Sequence, residues 1–288
     1  MQAFLDWWQH LPEHIDPAIF QIGSFRLQYY GLMYLLAFGT TYLIARYRLK
    51  NETRWHVSIE HLQGLMTAMI IGLILGARLG YVVFYNFSYY AANPLEIFLP
   101  IEFRDGIRFT GISGMSYHGG LAGTFLGMWW YSRKYRLGAF TALDLLPPCA
   151  AAGYTFGRIG NFLNGELWGR VTSAPIGMHF PNAGDNALRH PSQLYEAFGE
   201  GILLFILLWS LRHRIRTPGV MFSCYLIGYG LIRFVIEFFR EPDAHLGFVF
   251  FTLSMGQMLC GTMILIGLAS MIFFFKLSGN SRGSNRPD

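Results

Sequence analysis

Eighteen residues near the middle of the chain concentrate side chains that could do chemistry. Residues 153–170 read GYTFGRIGNFLNGELWGR and carry Arg158, Asn161, Glu166 and Arg170 among five glycines. Arg158 and Asn161 are three apart, so a helix puts them on one face. A second set lies downstream. Tyr229, Arg233 and Glu237 recur at intervals of four, which stacks them on one helical face, and Arg240 follows a turn later. Guanidinium groups offer a planar fork that grips phosphate through two parallel hydrogen bonds, and they stay charged when desolvated. Convergence of these groups predicts a polar, cationic cavity with a phosphate head group as its natural occupant.

Single residues add to this set. His118 stands in GISGMSYHGG, just inside one end of an apolar segment, where it serves either as a structural residue or as a general base. Tyr30 opens an earlier segment in YYGLMY, and His190 and Pro191 in RHPSQLYE read first as a helix start with Glu196 inside it. For Arg78, ion pairing is the expected role. Cys149, Cys224 and Cys260 are odd in number, lack a CxxC spacing and lie in apolar segments, so they read as small core residues with no disulfide and no metal. No glycine-rich nucleotide loop follows a strand, and no HExxH occurs.

These groups must be positioned by a strongly apolar chain. Of 288 residues, 53% are hydrophobic and only 14% charged, against about 25% in an ordinary soluble domain. Mean hydropathy is +0.33. The composition excludes a soluble α/β enzyme and predicts an all-α polytopic membrane protein. Seven apolar segments stand out, at roughly 27–46, 60–85, 115–132, 139–163, 192–211, 219–239 and 252–276. An Arg at membrane depth costs about 2.5–3.5 kcal/mol on insertion scales, so a chain that keeps several there uses them.

Basic residues give the expected orientation. Arg46, Arg48, Lys50, Arg54, Arg133, Lys134, Arg136, Arg212, Arg214, Arg216, Lys276, Arg282 and Arg286 fall on one side, 13 of the 22 lysines and arginines. That side includes every lysine. The alternation fits about seven transmembrane helices, with the N-terminus outside and the C-terminus cytoplasmic. Residues 1–277 read as one helical domain. Small ordered loops are expected at about 86–114 and 164–191 on the outer face, and a disordered cytoplasmic tail over 278–288. The N-terminus lacks the form of a signal peptide, and Trp7 and Trp8 suit an interfacial anchor. Glycines recur every fourth residue at Gly72, Gly76 and Gly80, at Gly119, Gly123 and Gly127, and at Gly153 and Gly157, the pattern of closely approaching helices.

With these residues in view, the chain resembles the bacterial prolipoprotein diacylglyceryl transferases. The likeness runs through YYGLMY (29–34), GARLGYVVFYN (76–86), GMSYHGGL (114–121), GRIGNFLNGELWGR (157–170), RHPSQLYE (189–196), GYGLIRFVIEFFREPD (228–243) and SMGQ (254–257). Tyr117 stands where some members have Phe. The resemblance implies transfer of the diacylglyceryl group of phosphatidylglycerol to the lipobox cysteine of preprolipoprotein signal peptides. A thioether would form and glycerol phosphate leave, as the first step of lipoprotein maturation at the outer leaflet of the bacterial inner membrane. It implies no cofactor, no metal and no nucleic acid.

By resemblance, Arg158 and Arg233 would bind phosphate. Asn161 and Glu166 would shape the head-group pocket, Gly169 would place the loop that follows, and Arg240 would stand at the rim. Glu237 would orient Arg233. His118 would be the base, with Tyr229 and Tyr30 as rivals. Two other readings compete. Gly111-Ile112-Ser113-Gly114 matches the serine motif of rhomboid proteases, but His118 takes the place of the next glycine and no second histidine is suitably placed. A transporter or flippase for an anionic lipid or solute would use a similar cavity, but no internal repeat is visible.

Overall fold

The computed structural model describes residues 2–22, 25–97, 101–102, 108–109, 114–138, 140–241, 248–250 and 253–283. The chain gathers into two compact units, residues 46–142 and the remainder, where the sequence reading expects one helical domain over 1–277. Among the described residues, each of the seven apolar segments contains a helix.

In the unit of residues 46–142, α3 (Ile59–Tyr85) packs against α5 (Tyr117–Lys134), with the short α4 (Phe87–Ala92) between them in sequence. The glycine rows explain this pair. A methyl group on Gly76 would collide with the carbonyl oxygen of Gly119, and one on Gly72 with that of Gly123. The two backbones therefore touch, and no other residue type fits. Ser58 and Ser116 cap the two helices by accepting from the amides of His61 and Gly119, each at 3.3 Å. Arg78 donates to the carbonyl oxygens of Ile97 (2.6 Å), Glu96 (2.7 Å) and Gly114 (3.3 Å), and its guanidinium lies 4.9 Å from the centre of the Tyr90 ring. It ties a loop to the helix.

The other unit begins with α1 (Gln2–Gln9) and the hairpin of β1 (Ala18–Ile22) and β2 (Phe25–Gln28). Next come α2 (Tyr29–Asn51) and α6 (Thr141–Leu163), each of which begins in one unit and ends in the other. Within this unit Gly153 of α6 abuts Ala37 and Thr41 of α2. α7 (Ser192–Glu196) continues through a π-helical stretch, Ala197–Leu203, into α8 (Leu204–Leu211). α9 (Val220–Ile236) and α10 (Met255–Gly283) then pack together. Asp144 of α6 accepts from the amides of Gly219 and Met221 at 2.7 and 3.2 Å, which satisfies donors that the start of α9 would otherwise leave open.

The loop of residues 164–191 builds a small core of its own. Met178 and Phe180 form a small core with Phe162, and Trp8, Leu11 and Trp168 pack around it. The indole N–H of Trp8 donates to Ile176 O at 3.1 Å, so α1 is fastened to this loop. At the other end of the chain, α10 runs to Gly283, into the segment read as tail, and residues 284–288 lie outside the described residues. So do the first three residues of the Gly111–Gly114 motif.

Among the described residues, three helices are long and apolar enough to cross a membrane: Ile59–Tyr85, Ser192–Leu211 and Met255–Gly279. Val220–Ile236 is apolar but shorter.

Candidate functional site

α6 presents Tyr154, Arg158 and Asn161 at spacings of four and three. The Arg158 guanidinium lies 4.7 Å from the centre of the Tyr154 ring, its Nη1 donates to Asn161 Oδ1 at 3.2 Å, and its Nε pairs with Glu196 Oε2 at 3.0 Å. Asn161 passes the chain on: its Nδ2 donates to Glu166 Oε1 at 2.7 Å. Glu166 sits in a tight reversal after α6. Gly165 and Leu167, on either side of it, have φ of 63° and 60°. That is ordinary for glycine and costly for leucine. The strain is held by Gln193 Nε2 donating to Glu166 O at 2.6 Å and by Ser192 Oγ donating to Leu167 O at 2.9 Å.

Opposite Arg158, α9 projects Arg233. Its guanidinium reaches Glu196 at 3.0 Å, Glu200 at 3.4 Å and Glu237 at 3.2 Å. Arg240 pairs with Glu196 through Nη1 and with Glu237 through Nε at 3.4 Å. Ser254 Oγ adds a hydrogen bond to Glu237 Oε1 at 3.1 Å. The Arg240 Nε to Glu237 Oε2 approach is close enough for an ion pair but not aligned as a hydrogen bond, and among the described residues Arg240 Nε has no other hydrogen-bond acceptor. Tyr229, a turn before Arg233, packs edge-to-face on Tyr154 with centroids 5.9 Å apart.

Glu196 is the hub, with its side chain wholly buried and three arginines upon it. Glu200 lies one turn on and is also buried. Both belong to the continuous helix that widens into the π-helical stretch, and such widening is frequent at functional sites. Glycines at 199 and 201 flank Glu200 and ease the wider winding. The Tyr154 hydroxyl donates to Glu200 Oε2 and lies 3.4 Å from Glu196 Oε2.

The charge balance differs from the expected cationic cavity. Among the described residues, three guanidinium groups face three carboxylates in one connected network. Alongside it, Leu194, Phe198, Gly199, Leu231, Ile232 and Val235 help to line an apolar groove of about 570 Å³. Ile232 and Arg233 are neighbours, so α9 offers one apolar and one charged surface at the same level.

The loop of residues 164–191 frames this network. Gly169 pairs with Arg240 as an antiparallel bridge, and a side chain there would strike Phe239 O and His190. Arg170 Nε donates to Arg240 O at 2.7 Å. Arg189 holds Asp185 at 2.6 Å and Glu241 at 3.1 Å. Its hydrogen bond keeps the Asp185 carboxyl below the usual carboxylate range. Burial pushes the His190 imidazole down from its ordinary value.

The structure thus brings together Arg158, Asn161, Glu166, Gly169, Tyr229, Arg233, Glu237 and Arg240. Tyr30 joins them from α2: its hydroxyl is 3.1 Å from that of Tyr34, and it lies within electrostatic reach of Asn161 and Glu166. His118 belongs to the other unit, exposed in the first turn of α5 with its ring against Tyr117 at 5.6 Å. Glu200 and Tyr154 escaped the sequence reading, and Glu196 was seen only as a helix residue. The signal was present: two carboxylates four apart in an apolar span each need a partner. Tyr154 precedes Arg158 by one turn.

The sequence profile of the family described as prolipoprotein diacylglyceryl transferase matches residues 17–273. The phosphatidylglycerol-prolipoprotein diacylglyceryl transferase of Chlorobaculum tepidum is 49% identical over 274 residues, 95% of this chain and 94% of that protein. Those of Oleidesulfovibrio alaskensis and Bordetella parapertussis are 46% and 45% identical, over 91% and 90% of this chain and 94% and 95% of theirs. With the family profile matching residues 17–273 and these relatives covering nine-tenths or more of the chain, the chain belongs to the prolipoprotein diacylglyceryl transferase family.

Proposed function

We propose that this protein transfers the diacylglyceryl group of phosphatidylglycerol to the thiol of a lipobox cysteine in a preprolipoprotein. The observation that carries the reading is the meeting of Arg158 and Arg233 from two helices beside an apolar groove. A charged head and an acyl tail each find matching surface within one residue of each other on α9. Relatives that are 45–49% identical over nearly their full length carry the name of this activity.

The chemistry follows from the groups. The thiol sulfur attacks a saturated glyceryl carbon, an S–C bond forms, and the C–O bond to phosphate breaks. Glycerol phosphate leaves with the electron pair, and the thiol proton passes to a base. No tetrahedral oxyanion forms, so no serine triad or oxyanion hole is needed. Negative charge grows on the departing phosphate oxygens, where the forks of Arg158 and Arg233 stabilise it. A free thiol titrates near 8.5, so a base must favour the thiolate. His118 takes that role, with Tyr229 and Tyr30 as the competing candidates. Asn161 and Glu166 shape the head-group pocket, Gly169 sets the loop above it, Glu237 orients Arg233 and Arg240 closes the rim.

The chain crosses the inner membrane seven times, with the N-terminus outside, the C-terminus cytoplasmic and the site towards the outer leaflet. The positive charge of the cytoplasmic connections and the coincidence of all seven apolar segments with helices support this. The test is purified protein in phosphatidylglycerol micelles with a synthetic lipobox peptide. A diacylglyceryl mass gain on the peptide, matched by equal glycerol phosphate release, is the expected result. Lipid binding with no mass gain would instead point to transport.

A further inference from the structure

We infer that Glu200 takes up a proton when a phosphodiester head group enters the arginine network, with Tyr154 turning its hydroxyl to accommodate the change. This rests on the reading of Arg158 and Arg233 as the phosphate site.

The argument begins with charge. Arg158, Arg233 and Arg240 are matched by Glu196, Glu200 and Glu237. Glu166 adds a fourth carboxylate through Asn161. No surplus positive charge is left in this network to meet an anionic ligand. An entering phosphodiester brings one more negative charge into a buried, apolar setting, where an uncompensated charge is strongly disfavoured. Neutralising one carboxylate with a proton from bulk water restores the balance and frees the cation that it held.

Geometry selects the carboxylate. Glu196 receives three arginines. Glu237 receives two arginines and the Ser254 hydroxyl. Among the described residues, Glu200 has a single arginine contact, at 3.4 Å, from the same Arg233 Nη1 that already pairs with Glu196 at 3.0 Å. Its other ligand is the neutral hydroxyl of Tyr154. Among the described residues, the charged and titratable groups around it are Tyr154 and Arg158 from α6, Arg233 from α9 with Tyr229 behind Tyr154, Cys260 from α10, and Glu196 on its own helix. It is the least compensated of the three.

Tyr154 makes the switch possible. A phenol both donates and accepts. With Glu200 ionised, the hydroxyl donates to Glu200 Oε2. With Glu200 protonated, the acid donates to the phenol oxygen, and the phenol hydrogen turns to Glu196 Oε2, 3.4 Å away. Every donor keeps an acceptor, and Arg233 gives up its Glu200 contact to the phosphate while it keeps Glu196 and Glu237. Glu200 is in this account a positioning residue, because it acts through Arg233.

The experiment is calorimetric titration of the full-length protein, in neutral detergent, with short-chain phosphatidylglycerol in buffers of different ionisation enthalpy. Wild type is expected to take up close to one proton per lipid bound, and its affinity to fall about tenfold per pH unit once Glu200 is ionised in the free protein. Glu200→Gln, a mimic of the neutral acid, is expected to bind at least as tightly, with no proton uptake and a flat pH profile. Tyr154→Phe retains uptake but weakens binding. Wild-type binding without proton uptake, or uptake that survives in Glu200→Gln, overturns the inference. Lipid binding unaffected by Arg158→Lys and Arg233→Lys would instead overturn the phosphate-site reading, so the two failures are distinguishable.

Discussion

Two clusters in this protein bury arginine against glutamate, and they are built differently. In the first, Arg48 at the end of α2 holds Glu52 through Nε at 2.9 Å and Nη2 at 3.2 Å. The indole of Trp55 donates to the same carboxylate at 2.8 Å. Arg48 and Arg54 both lie near the Trp55 ring. All four residues fall within eight positions, and the Arg48–Glu52 geometry is bidentate. In the second, Arg158, Arg233 and Arg240 reach Glu196, Glu200 and Glu237 across α6, the π-helical segment and the end of α9. There one guanidinium nitrogen serves two carboxylates, and the Arg240–Glu237 approach is out of line. A local cluster with a bidentate grip at its centre is a structural lock. A long-range one, in which one guanidinium nitrogen is shared between two carboxylates, keeps bonding capacity that a ligand can use, and the strained Leu167 beside it fits the same pattern.

Substitutions should separate the two. Glu196→Ala is expected to be the most severe, because it strips the hub from three buried arginines. A loss of about 3–5 kcal/mol is typical when one partner of a buried pair is removed, and transfer activity should vanish with it. Thermal unfolding of the detergent-solubilised variant checks this, and an unchanged Tm would mean that the network does not hold the helices together. Glu52→Gln should lower stability by about 1–3 kcal/mol, since the Arg48 charge loses its partner. The folded fraction should then transfer lipid at the wild-type rate, and a fall in rate per folded molecule would erase the distinction between lock and site.

Titration of the two clusters' surroundings gives a finer test. Burial of Glu52 opposes ionisation, but the hydrogen bond and charge of Arg48 outweigh it, and its pKa is lowered. Asp185 is lowered chiefly by its hydrogen bond from Arg189. A carboxylate with a depressed folded pKa binds fewer protons folded than unfolded. Its stabilisation is complete above the unfolded value, near 4, and is lost as pH falls through the folded value. Tm should therefore drop on acidification below about pH 4, and the drop should be smaller in Glu52→Gln. Asp185→Asn, at an exposed position, should shift that acid limb least of all. Equal acid limbs in all three proteins would mean that these pairs do not set it.

The helices were legible in the sequence because apolar runs of membrane length leave the backbone few choices. The close α3–α5 pairing was legible too, since glycine every fourth residue has one main structural use. The arginines of the site, with Asn161 and Glu166, stood out by their cost in an apolar chain. Their partners were harder to see. Glu196 looked like part of a helix start, and Glu200 was passed over, because which carboxylate faces which arginine depends on how helices distant in sequence meet. Arg78 shows the same limit. It spends its donors on the carbonyl oxygens of Ile97, Glu96 and Gly114, a loop geometry that spacing does not encode.

The most direct test of the central claim is lipid transfer by Arg158→Lys and Arg233→Lys, each measured beside wild type with phosphatidylglycerol and a lipobox peptide, with peptide mass and glycerol phosphate followed together. Lysine keeps the charge and loses the fork. Each variant, folded and with Tm near wild type, should lose about 10²–10³ in rate, the typical cost of one transition-state contact. Wild-type rates in both would show that no guanidinium clamp holds the phosphate.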